Sequence, residues 1–225
     1  MTIDDVLVLP DEAPAAAPGW STATLHKRLL EIAAAGALAA VLLVLVWLHP
    51  RADFWVAIGQ PFFWLKVLYT VALAAVALGG ATAVARPGVS MRPALATGAA
   101  VVAVMALAAA FEAPSLDAAM LTHVFDPAGA LACAAYVAIL SAPMLLIAGI
   151  GLRGIELERP AATGLFVGLF SGAVAASVYG VHCHGSTFLF VALSYTAAIL
   201  LCGAVGAVGL KLISRRPLPD LAIGE

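Results

Sequence analysis

The chain has 225 residues, 64% of them hydrophobic and 11% charged, with a net charge of −2 and a mean hydropathy of +1.07. A soluble domain is nearer half apolar and a quarter charged, so an ordinary water-soluble globule is excluded. No basic stripe is present, which argues against direct nucleic-acid binding.

The first segment, "MTIDDVLVLPDE", is acidic: Asp4, Asp5, Asp11 and Glu12 precede any basic cluster. That is the reverse of a secretory leader, so the tail is expected to persist in the mature protein. Ile3, Val6 and Leu7 fall on one face of a brief helix, with Asp4 and Asp5 beside it. Pro10 stops that helix, and "PDEAPAAAPG" reads as a flexible spacer. The segment is either a disordered tail or a docking peptide that lays its apolar face into a partner's groove. Its acidic residues favour a basic partner surface.

Six apolar runs follow, at about 29–48, 63–85, 94–111, 128–151, 161–179 and 187–210. A bilayer-spanning helix needs about 20 such residues. The expected fold is therefore an all-α membrane protein, a bundle of six transmembrane helices. It divides into a tail (1–28), a six-helix domain (29–210) and a C-terminal tail (211–225). Nine of the eleven Lys and Arg residues fall on one side of a six-fold crossing: Lys27, Arg28, Arg86, Arg92, Arg153, Arg159, Lys211, Arg215 and Arg216. The positive-inside bias puts both termini in the cytoplasm.

The other side then holds loops 49–62, 112–127 and 180–186, with Arg51 and Lys66 near them. Lys66, in "FFWLKVLYT" between Trp55 and Trp64, reads as an interfacial anchor that snorkels to water. Gly164, Gly168 and Gly172 recur every four residues, and Gly203, Gly206 and Gly209 every three. Such spacing suits close helix packing. No nucleotide loop, Ser/His/Asp set or paired intramembrane carboxylates stand out, so an enzyme is not expected.

The outer loops contain His49, His123, His182 and His184, together with Cys183 in "YGVHCHGSTF". Cys133 lies about five residues into the fourth run, roughly 8 Å below its outer end, so it shares a face with Cys183. Cys202 is remote, roughly 22 Å from that side. Thiolate and imidazole suit soft or borderline metals. In an extended turn His182 and His184 point one way and Cys183 the other, so all three do not meet one ion. A site combines one or two of them with Cys133 or His123. Two thiols on an oxidising face can bridge, bind a metal together, react with an electrophile, or simply pack as small hydrophobes.

Several blocks resemble a known family: "TIDDV", "LHPRADFW", "FFWLKVLYT", "LACAAY", and above all the long block from "RPAATGLF" through "VYGVHCHGSTFLFVALSYT". The chain resembles the six-helix membrane anti-sigma factors of the NrsF (negative regulator of sigma F) type. The resemblance implies that the N-terminal segment, here Ile3, Asp4, Asp5, Val6 and Leu7, holds an extracytoplasmic-function sigma factor at the cytoplasmic face. It also implies that two outer cysteines, by position Cys133 and Cys183, release that factor under heavy-metal or oxidant stress. His182 matches the family's "HC"; His184 and His123 are further candidates for the same site, and Cys202 has no implied role. A tentative metal set is Cys133, Cys183 and His182. No resident cofactor is expected, only transient binding of a soft or borderline metal ion. The implied location is the bacterial inner membrane, with lipid and the sigma factor as partners. The competing reading is a small metal-ion transporter or metal-handling membrane protein. A membrane scaffold with a static Cys133–Cys183 disulfide is the plainest alternative.

Overall fold

The computed structural model describes residues 22–84, 88–152 and 157–214. The proposed docking residues Ile3, Asp4, Asp5, Val6 and Leu7 lie outside the described residues.

The described chain is helical, without strands. Helix α1 (Thr22–Leu43) runs into a π-helical turn, Val44–Leu48. A short α2 (Phe54–Ala57) leads into α3 (Pro61–Val84). Helix α4 (Arg92–Glu112) ends in a 3-10 turn, Ala113–Ser115. Helix α5 (Ala118–Val124) is short, and α6 (Pro127–Gly151) and α7 (Pro160–Tyr179) are long. A single turn, α8 (Phe188–Phe190), continues through a π-helical turn, Val191–Tyr195, into α9 (Thr196–Ser214).

Among the described residues, six helical stretches are long and apolar enough to cross a membrane: His26–Leu48, Pro61–Val84, Arg92–Ser115, Pro127–Gly151, Pro160–Tyr179 and Phe188–Ser214. They coincide with the six apolar runs of the sequence to within a few residues.

Helix starts are set locally. The Asp126 carboxylate accepts from the N–H groups of Ala128 and Gly129, with Pro127 in the first turn. Asp117 accepts from Met120 N–H, and Thr187 from Phe190 N–H. These side chains satisfy donors that a helix leaves open. Glu112, at the far end of α4, accepts from Leu189 N–H at 3.0 Å and so caps a different helix.

Helix α7 is the hub, packed against α1, α3, α6 and α9. Of its span 61% is buried, against 11% for Arg92–Ser115 at the periphery. Glycines make the hub tight: a Cβ on Gly164 or Gly168 would collide with the backbone of Gly206 or Cys202. The loops predicted to share one face do so. Segment 49–53, residues 112–120 and the 181–187 turn meet at one end, through Arg51 N–H to Val181 O and through the Glu112 bond. At the opposite end Arg159 donates to Val89 O at 3.0 Å.

Candidate thiol site

Asp126 fixes where α6 begins, and Cys133 follows about two turns later on the face turned into the bundle. It is 1% exposed. Cys183 arrives from the other direction. After Tyr179 the chain makes a further coil, in which the N–H groups of His182 and Cys183 both donate to Tyr179 O, at 2.9 and 3.0 Å. The turn is thus wound at this point, where the sequence argument assumed an extended segment. The result is nevertheless the predicted separation: Cys183 points inward at 6% exposure, while His184 faces out. Both thiols belong to one core cluster and are free.

His182 is turned aside. Its Nδ1 lies 2.8 Å from the His49 carbonyl, and its ring contacts those of Tyr136, Tyr179 and His184. His49 holds φ at +59°, a left-handed backbone unusual for a side-chain-bearing residue. His184 Nε2 sits 4.0 Å from Asp53. His123 is in α5, and its side chain lies outside the described residues. Among the described residues no group of three or more His, Cys, Asp or Glu side chains is placed to hold a metal ion. Cys133, Cys183 and His182 are therefore not a preformed three-ligand set: the imidazole is held by a backbone carbonyl while the thiols face the core. Cys202 is indeed apart, with its Sγ 3.3 Å from Ser141 Oγ.

Lys66 overturns its sequence reading as a snorkelling anchor. It is 3% exposed, and its Nζ donates to the Cys183 carbonyl at 3.3 Å. The ammonium lies 5.7 Å from the centre of the Tyr195 ring. The sequence signal was present, because an ionisable residue inside a membrane run is usually paired or functional. Nothing in the sequence showed that the partner lay 117 residues away.

Arg51 was likewise missed. Its backbone N–H holds Val181 O, and its Nη1 reaches Cys183 O at 3.4 Å. Its Nε and Nη2 grip Asp53 with two bonds of 2.6 Å. That fork holds the Asp53 carboxyl down at about 2 and raises Arg51. Tyr195, in the π-helical turn, lies in the "FVALSYT" part of the block that carries the resemblance, but nothing in the sequence assigned it to the site. Its hydroxyl is buried with no hydrogen-bond partner, and its ring contacts those of Tyr179 and Phe190.

Six helices long and apolar enough to cross a membrane, around a buried thiol pair at one end, define a helical bundle with a thiol site. Residues 15–215 match the family described as negative regulator of sigma F, NrsF, and the chain belongs to that family. It is similar to the anti-sigma-F factor NrsF of Caulobacter vibrioides (strain NA1000 / CB15N), at 38% identity over 80% of this chain and 85% of that protein. It is also similar to the probable anti-sigma-F factor NrsF of Azospira oryzae (strain ATCC BAA-33 / DSM 13638 / PS), at 33% identity over 77% and 81%. No solved structure matches the chain. The family match begins after the acidic start, so "TIDDV" is outside it. A negative regulator of a sigma factor has that factor as its partner.

Proposed function

We propose that this protein is a membrane-bound anti-sigma factor that holds an extracytoplasmic-function sigma factor with its cytoplasmic tail. It releases that factor when Cys133 and Cys183, on the periplasmic side of the bacterial inner membrane, meet a soft metal ion or an oxidant. The observation that carries the reading is the thiol pair: two cysteines 50 residues apart in sequence, both buried, both free and both in one core cluster at one end of the bundle. Paired thiols suit soft cations, and binding to them can bias one packing of the helices over another. The lopsided distribution of Lys and Arg supports the orientation, with the cysteine end outside. Residues 2–12 are the proposed sigma-binding segment.

The test is copurification followed by challenge. A sigma factor should copurify with the full chain and be lost when residues 1–20 are removed. Cadmium or an oxidant should release it from the full chain but not from the Cys133→Ser/Cys183→Ser double variant. Release that persists in the double variant would sink the sensing role, and a sigma factor that stays with the truncated chain would sink the docking role.

A further inference from the structure

Both thiols are buried, so an ion arriving from water needs a path to them. A cleft of about 400 Å³ opens at the cysteine end, between α5 and residues 184–187. Its rim is polar, with Asp117, His184, Ser186 and Thr187. Its floor is Val124 and Phe190, both buried. Those two side chains belong to the same core cluster as Cys133 and Cys183. The cleft therefore starts in water and ends on the packing that encloses the thiols. Another cleft, along α3 at Pro61, Trp64 and Leu68, is lined by apolar residues and suits a lipid chain better than an ion.

Phe190 is the layer between the cleft and the thiols. Its ring lies against Gly185, where a Cβ would collide with it, and Gly185 is two residues beyond Cys183. The ring also meets that of Tyr195 at 6.4 Å. Tyr195 in turn lies beneath the Lys66 ammonium, which donates to the Cys183 carbonyl. Thr187 accepts from Phe190 N–H, so the backbone is held and the ring is the part free to change rotamer.

The charge at the mouth selects what enters. Among the described residues that line the cleft, Asp117 is the one carboxylate and there is no Lys or Arg. Asp53 stands 4.0 Å from His184 Nε2, but Arg51 matches its charge. A cleft lined by one sign of charge concentrates the opposite sign.

We propose that this cleft is the route by which a small cation reaches Cys183 and Cys133, with the Asp117 carboxylate drawing it to the mouth and the Phe190 ring as the inner barrier. That the cation is a sensed metal ion rests on the function proposed above; the route itself does not.

The experiment labels Cys183 in the full-length protein in detergent micelles with two methanethiosulfonates of similar size, read by peptide mass spectrometry. One carries a trimethylammonium group and the other a sulfonate. In both, the Cys183 sulfur forms an S–S bond with the reagent and methanesulfinate leaves. Their rate ratio cancels the reactivity of the thiol and reads the charge along the path. Asp117→Asn keeps an oxygen for Met120 N–H and removes the charge, so the cation-to-anion ratio should fall about threefold. Ala119→Trp fills the cleft from α5, away from the cysteine turn, and should slow both reagents by about tenfold. Phe190→Leu, a smaller barrier, should speed both. A ratio unmoved in Asp117→Asn, rates unmoved in Ala119→Trp or rates not raised in Phe190→Leu overturns the proposal, as does a native Cys183 that takes neither reagent. If Ala119→Trp does not fold, Ser186→Trp blocks the opposite wall: slowed labelling upholds the route, and unchanged labelling overturns it. The assay needs neither metal nor sigma factor. The expected labelling pattern together with normal release from the Cys133→Ser/Cys183→Ser variant would reject the sensing function and leave the route standing. Unmoved labelling with release lost in that double variant would reject the route and leave the sensing function standing.

Discussion

At the residue scale, Arg51 joins three tasks: its backbone ties segment 49–53 to Val181, its Nη1 reaches Cys183 O, and its fork grips Asp53. Asp53 is exposed, so the pair is a local clamp, and a solvent-screened pair contributes little to global stability. The pH dependence has a definite sign. Arg51 lowers the Asp53 carboxyl from 3.8 to about 2. A depressed folded value means that the clamp's contribution is fully present above the ordinary carboxylate range and is lost as pH falls through about 2. Arg51→Gln removes the hydrogen bond and the charge together. Carbon NMR of labelled aspartate should show Asp53 titrating near 2 in the native protein and close to 3.8 in the variant. An Asp53 midpoint that stays put in Arg51→Gln would show that the fork does not form. A second local feature is the left-handed backbone of His49, whose carbonyl is held by His182. Such a conformation costs of order 1–3 kcal/mol and persists only where the surroundings fix it.

At the element scale, the α7–α9 seam decides how close the hub can come to its neighbours. The sequence marked both glycine series as packing positions, and the structure separates their members. Gly164, Gly168 and Gly172 all face α9, while Gly203 and Gly206 face α7. Gly209 faces open space. Helical geometry gives the reason: at ~100° per residue, a spacing of four drifts ~40° per step, whereas a spacing of three drifts ~60° the other way. The third member of the three-residue series has therefore rotated off the seam. The consequence is a paired prediction. Gly168→Ala puts a methyl group onto the Cys202 carbonyl, must push α7 and α9 apart, and should cost about 1–3 kcal/mol. Gly209→Ala meets nothing and should be neutral or stabilising by up to about 1 kcal/mol, since alanine is the better helix former. Thermal unfolding in the same detergent compares them, and equal losses in the two variants would refute the seam. Lys66 was less legible than these glycines for a related reason. Spacing along one helix reports which residues share a face, whereas its partners, Cys183 O and the Tyr195 ring, come from distant segments.

At the scale of the whole molecule, the six spans could be read from hydropathy because length and apolarity alone define a membrane-crossing helix. The alternation of loops between two ends was also legible, from charge. What composition could not supply was the convergence of Cys133, Cys183, Lys66, Arg51 and Tyr195 at one of those ends, since it depends on how α3, α6, α7 and the last span pack. The outside of the bundle carries Val46, Val104, Phe111 and Leu131, all at least two-thirds exposed. Apolar surface on that scale needs a cover, and lipid around helices whose backbone bonds close internally meets the need. If lipid is the cover, the two ends of the bundle face different compartments, and orientation becomes measurable. Ser186 and Ser90 are exposed at opposite ends. In a variant with Cys133, Cys183 and Cys202 replaced by alanine, Ser186→Cys should react with a membrane-impermeant maleimide in intact spheroplasts. Ser90→Cys should react only after lysis. Reversed labelling would place the thiol site in the cytoplasm and remove the oxidising compartment from the argument. Labelling of both sites before lysis would deny that the bundle crosses the membrane with its ends apart. The expected pattern leaves the proposed sensing end and the proposed sigma-binding tail on opposite sides, so under that proposal a signal crosses by movement of the helices. The stitching of the 181–183 turn to segment 49–53, directly after α1 and its π-helical turn, is one described contact through which the first helix would feel that movement, beside its packing on α6 and α7.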